Sequence, residues 1–130
     1  MATPRARVLV VDDDPAVVEL VAMWLDREHD VVTRTDSREA IPAMRERRPD
    51  LVVLDVMMPG MSGLDVAARM RADPDLSEVP ILFISAYEAI LERHERELVR
   101  PWGLLSKPFE GKVLVARVRQ ILEAGGPRKT

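Results

Sequence analysis

Short apolar runs closed by polar or charged residues recur along this chain, separated by stretches whose apolar residues come at helical spacing. The first run, Val8, Leu9, Val10 and Val11, is rich in β-branched residues and ends at Asp12, Asp13 and Asp14. Such a run reads as a strand buried on both faces, because a strand with one wet face alternates apolar with polar. Val17, Leu20, Val21, Trp24 and Leu25 then repeat at the spacing of one helix face, with Pro15 where a first turn tolerates proline. The same order continues through Val31 and Val32, a helix through Ile41 and Met44, the strand Leu51–Leu54, a helix from Leu64 to Met70 and the strand Ile81–Ile84. A charged helix over Tyr87–Leu98, a short strand around Leu104 and Leu105, and a helix carrying Leu114, Val118, Ile121 and Leu122 complete it.

Strands that alternate with helices across short joins favour a parallel sheet, since parallel neighbours need a crossover and right-handed crossovers can cover either face. The expected fold is therefore α/β and doubly wound, flavodoxin-like, with five parallel strands in the order 2-1-3-4-5 and five helices. The 130 residues fit one domain, 47% hydrophobic and 32% charged, a balance that supports a core and excludes disorder. Residues 1–124 are expected to form the domain and residues 125–130 a flexible tail. Pro42 conflicts with a continuous second helix; with Asp36 as cap and Glu39 three residues on, it should kink the helix or delay its start.

With no cysteine, disulfides and thiolate metal sites are excluded, and any metal must be held by oxygen or histidine. The net charge of −3 argues against a dense basic stripe, so no direct nucleic-acid contact is expected. The apolar stretch after the basic start is too short for a signal peptide or a membrane span, which points to a cytoplasmic protein with no membrane partner.

Asp12 to Asp14, Asp55, Ser85 and Lys107 all fall at the carboxyl ends of expected strands. In a parallel sheet those ends share one edge, and ligands bind where the winding reverses. Asp14, ahead of Pro15, is expected to serve as a helix cap. Asp12 and Asp13 are adjacent carboxylates in a confined crevice; they repel unless a cation intervenes, and a magnesium ion suits an oxygen site shared with phosphate.

Four motifs in order complete the picture: V-D-D-D-P at Val11 to Pro15, D-V-M-M-P-G-M-S-G at Asp55 to Gly63, I-S-A at Ile84 to Ala86 and S-K-P-F at Ser106 to Phe109. Over nearly its whole length the chain resembles the receiver domains of bacterial response regulators. The resemblance implies a phosphorylation-activated switch that assists only its own phosphorylation and dephosphorylation and is not otherwise an enzyme. It makes Asp55 the phosphoacceptor, Asp13 a direct magnesium ligand, Asp12 an acid acting on the metal mainly through water, and the Met57 carbonyl a further ligand alongside Asp55. Ser85 is implied as the hydroxyl that hydrogen-bonds the phosphoryl group and Lys107 as the lysine paired with Asp55, with a cis Lys107–Pro108 bond aiming it into the crevice. The implied partners are a sensor histidine kinase or phosphotransfer protein and a downstream protein or output domain, with the chain a monomer or a phosphorylation-dependent homodimer.

The sequence departs from the family at Leu104, where an aromatic residue is usual. Trp102, two residues earlier, would share a face with Leu104 if one strand carried both. Met57 and Tyr87 are expected to frame the approach of hydrolytic water. Two other readings are a pseudo-receiver that binds partners without phosphorylation, and a haloacid-dehalogenase-like phosphohydrolase using Asp12 and Asp14 as nucleophile and acid. The second lacks an evident cap and leaves Asp55 without a role.

Overall fold

The computed structural model describes residues 5–86 and 101–125. Its five strands are β1 (Arg7–Val11), β2 (Asp30–Arg34), β3 (Leu51–Asp55), β4 (Ile81–Ser85) and β5 (Gly103–Ser106). All pair in parallel in the order β2-β1-β3-β4-β5, as the alternating pattern predicts. The described helices are α1 (Pro15–Leu25), α2 (Ala40–Glu46), α3 (Gly63–Ala72) and α4 (Gly111–Gly125). The helix expected over Tyr87–Leu98 and the tail from Gly126 onward lie outside the described residues; Gly125, expected in the tail, ends α4.

Side chains alternate across the sheet into two cores. Leu9, Val11, Val52, Leu54, Ile81 and Phe83 pack with Met44, Val66 and Met70 of α2 and α3. Val8, Val10, Leu51, Val53, Leu82 and Ile84 face Val18, Val21 and Leu25 of α1 and Leu114, Val118 and Ile121 of α4. Both faces are covered, which is why the central strands read as unbroken apolar runs rather than alternating ones.

Local signals resolve as their chemistry requires. Asp14 caps α1, its carboxylate accepting the Ala16 N–H at 3.0 Å, and Pro15 occupies the first turn. Asp36 caps a 3-10 turn over Ser37–Glu39, and α2 begins only at Ala40. Pro42 thus falls in the first α-helical turn, where the missing N–H has no intrahelical partner to lose, so the conflict is met by a delayed start. Gly103 opens β5 opposite Leu82. Trp102 therefore lies just before the strand, its backbone N–H donating to Ile81 at 2.8 Å and its side chain 44% exposed, while Leu104 packs into the core on the α2 and α3 side.

The turn into α4 is set by aromatic packing. Trp24 meets Phe109 edge-on, with ring centroids 6.3 Å apart, and lies against Gly111 so closely that a Cβ there would come within 2.5 Å of its ring. Gly111→Ala is therefore expected to destabilise the protein by about 1–3 kcal/mol through overpacking, although alanine is the better helix former. In a Trp24→Leu background most of that penalty should disappear. Chemical denaturation of the four proteins of this cycle measures the coupling, and strictly additive effects would contradict the packing account.

Candidate functional site

Register carries the polar residues to one edge. Val11 pairs with Leu54, Asp55 with Ile84, and Ser85 with Ser106, so Asp12, Asp55, Ser85 and Lys107 all leave the sheet at the same level. Asp12 and Ser85 are fully buried and Asp55 is only 3% exposed, while Asp13 is exposed at the rim. One carboxylate oxygen from each of Asp12, Asp13 and Asp55 lies within 4.8 Å of the others.

Lys107 is the cation that answers them. Its Nζ donates to Asp12 Oδ2 at 2.7 Å and stands 3.6 Å from Asp55 Oδ1. The resemblance pairs this lysine with Asp55; here its shorter contact is with Asp12. The Lys107–Pro108 bond is cis, and the Lys107 backbone N–H donates to the Ser85 carbonyl at 2.6 Å. Burial disfavours the charged lysine, but the hydrogen bond to Asp12 and the charges of Asp12 and Asp55 outweigh it, and the ammonium is held above its ordinary range.

Asp55 is the acid that bears the crowding. Burial, then the negative charge of Asp12, push its pKa up to about 7, with a smaller push from Asp13. Lys107 and the Met57 backbone N–H, 3.4 Å from Asp55 Oδ1, oppose the rise without cancelling it. Met57 follows at the mouth of the site and is 54% exposed. Tyr87, expected to frame the same mouth, lies outside the described residues.

The segment beyond Asp55 is fixed by the start of α3. Ser62 accepts the Asp65 N–H at 3.2 Å while the Asp65 carboxylate accepts the Ser62 N–H at 3.0 Å, a complete capping box. Gly63 donates to the Val56 carbonyl at 2.8 Å and sits so near the strand end that a Cβ would lie 2.1 Å from the Asp55 carbonyl oxygen. The motif contains Ser62 and Gly63, yet their part in seating Asp55 is a three-dimensional fact the sequence reading did not assign. By contrast Asp14, whose carboxylate caps α1, is taken up structurally and is poorly suited to act as the acid of a hydrolase.

These residues fit a hard divalent cation. Oxygen donors from three carboxylates converge, two of them buried, and the described groups around them supply one ammonium.

Residues 8–119 match the family model described as the response regulator receiver domain. The DNA-binding response regulator MtrA of Mycolicibacterium smegmatis is 43% identical over 120 residues, covering 92% of this chain and 51% of that protein. MtrA of Mycobacterium tuberculosis is 42% identical with the same coverage. Among solved structures, the Vibrio cholerae chemotaxis protein CheY4 superposes with a TM-score of 0.85 at 30% identity, covering 91% of this chain and 99% of that one. The chain spans about half the length of the curated relatives it matches. These relatives correct the expectation that nucleic acid is no direct partner, since both MtrA proteins are named for DNA binding. That expectation came from the net charge of −3, which weighs only these 130 residues and bears on no region outside them.

An acid whose folded pKa lies above its unfolded value withdraws stability as pH rises between the two, here from about 4 to about 7. In a chelator at about pH 8, Asp55→Asn is therefore expected to be more stable than the parent by about 1–3 kcal/mol, an advantage that fades toward about pH 4. Added magnesium should narrow the gap. Thermal melts across that range check the sign; a variant less stable at every pH would contradict the crowding.

Proposed function

The chain belongs to the response regulator receiver family, a two-component signalling domain, and from that premise we propose that Asp55 is the residue that takes the phosphoryl group, in a magnesium-dependent reaction. The observation that carries this reading is the convergence of the Asp12, Asp13 and Asp55 carboxylates within 4.8 Å, beside the Lys107 ammonium. Asp12, Asp13, Asp55 and the Met57 carbonyl would hold the magnesium ion. Bound there, the ion supplies positive charge to the phosphoryl oxygens.

The protein's own part is positioning and charge. A carboxylate oxygen of Asp55 attacks phosphorus in line, the bond from phosphorus to the donor's leaving atom breaks, and the leaving group departs with that electron pair. Asp55 must be ionised to attack, and Lys107, 3.6 Å away, favours that form and stands ready for the new phosphate. Ser85, buried at the end of β4, offers its hydroxyl to the phosphorylated acid. The product is an acyl phosphate on the protein itself, so the domain is a switch rather than an enzyme that turns over substrate. We place it in the cytoplasm, receiving its phosphoryl group from a histidine kinase or phosphotransfer protein. By likeness to the MtrA relatives, its output is control of DNA binding.

Incubation with acetyl phosphate and magnesium is expected to add one phosphoryl group per chain, as read by intact mass. Asp55→Asn or a chelator should abolish the addition; full labelling of Asp55→Asn would overturn the assignment. A further expectation concerns lifetime. Met57 presents no polar atom that orients water well at the mouth of the site, so the phosphorylated protein should decay slowly, and several-fold faster in Met57→Asn. Following loss of the mass increment with time tests this, and equal or slower decay in Met57→Asn would refute it.

A further inference from the structure

A second polar site lies where the end of the short helix α2 meets β1 and the edge strand β2. A partly enclosed cavity of about 230 Å³ opens there, floored by Leu9 and Val32 and walled by Arg7, Arg34, Arg47 and Glu46. Three guanidinium groups against one carboxylate give it a cationic lining in a chain whose overall charge is −3.

The arginines are incompletely satisfied by the protein. Arg7 donates from one terminal nitrogen to the Arg48 carbonyl at 2.9 Å, but its Nε is buried and has no hydrogen-bond partner. The Asp50 carboxylate is engaged with the Arg7 backbone, accepting that N–H at 2.8 Å. Among the described residues neither Arg7 nor Arg47 forms an ion pair, while Arg34 donates to the Thr33 carbonyl at 2.7 Å and reaches Glu39 only at 4.0 Å. The Arg7 Nε is shielded from the cavity, so a ligand there would meet the terminal guanidinium nitrogens, whose donors are arranged in a fork that matches oxyanions.

We propose that this cavity binds a small phosphate monoester with a compact apolar body. The dianionic group would meet the Arg7 and Arg47 guanidiniums, and the apolar part would cover Leu9 and Val32. A cavity of about 230 Å³ is smaller than the roughly 300–1,000 Å³ of drug-sized sites, which limits the ligand to something the size of a phenyl ring with one phosphate. A phosphate monoester carries about −1.5 to −2 charges and three acceptor oxygens, enough to engage more than one guanidinium.

The test uses phenyl phosphate as probe, titrated into the isotope-labelled full chain in a chelator and followed by amide NMR. Saturable shifts are expected at Leu9, Val32 and Ala43, with weaker binding of inorganic phosphate and none of benzyl alcohol. Arg47→Gln, at an exposed position, should weaken phenyl phosphate binding about tenfold, and Glu46→Gln should tighten it. Because the two substitutions act in opposite directions, general loss of folding cannot mimic the pattern. Absence of saturable shifts there, shifts confined to the residues around Asp55, equal affinity in both variants, or the same response to sulfate at matched ionic strength would each overturn the proposal.

Discussion

Three carboxylates drawn together at the end of a sheet, two of them buried, repel one another with little solvent to screen them. Lys107 offsets part of this by its 2.7 Å contact with Asp12 and its nearer approach to Asp55 than any other described cation makes. The remainder is left on Asp55, whose raised pKa records it. A site in this condition favours any added cation, and a nucleophile that ionises as that cation arrives is one whose reactivity depends on it. The magnesium requirement proposed for phosphorylation thus follows from electrostatics already present in the fold.

Holding such a site together falls to the parallel sheet. Backbone hydrogen bonds fix the register that ends β1, β3, β4 and β5 at one level, and the two cores on either face keep those strands from sliding. The loops add finer constraints. The capping box at Ser62 and Asp65 and the close approach of Gly63 seat the chain just past Asp55. On the other side, Phe109 and Gly111 lock against Trp24, so the segment that begins at Lys107 is anchored to α1. The carboxylate-lined crevice is thus flanked by segments seated against α3 on one side and α1 on the other.

Much of this was legible in the sequence because the signals are local. The apolar runs mark the strands, and the polar residue that closes the first, third and fourth runs, Asp12, Asp55 and Ser85, marks the crevice; Asp14 before Pro15 marks the start of α1. Pro42 marks the late start of α2. What was not legible depends on distance in the chain. The preference of Lys107 for Asp12 joins residues 95 positions apart, a juxtaposition no local pattern encodes. Gly63 and Gly111 look like ordinary helix-start residues until the Asp55 carbonyl and the Trp24 ring are placed beside them. The arginine-lined cavity escapes notice for the same reason, since Arg7 and Arg34 sit on β1 and β2 and Arg47 just past the end of α2. The net charge of −3 is a property of these 130 residues alone and carries no information on nucleic acid elsewhere in the signalling context.

The central claim is that crowding of acids makes Asp55 a cation-dependent nucleophile. The most direct measurement is the carboxyl carbon resonance of Asp55, followed by NMR through a pH titration in a chelator and again with saturating magnesium. The account expects a midpoint near 7 without the metal and one lower by at least about one unit with it. A midpoint in the ordinary carboxylate range in the chelator, or one that magnesium leaves unmoved, would contradict it.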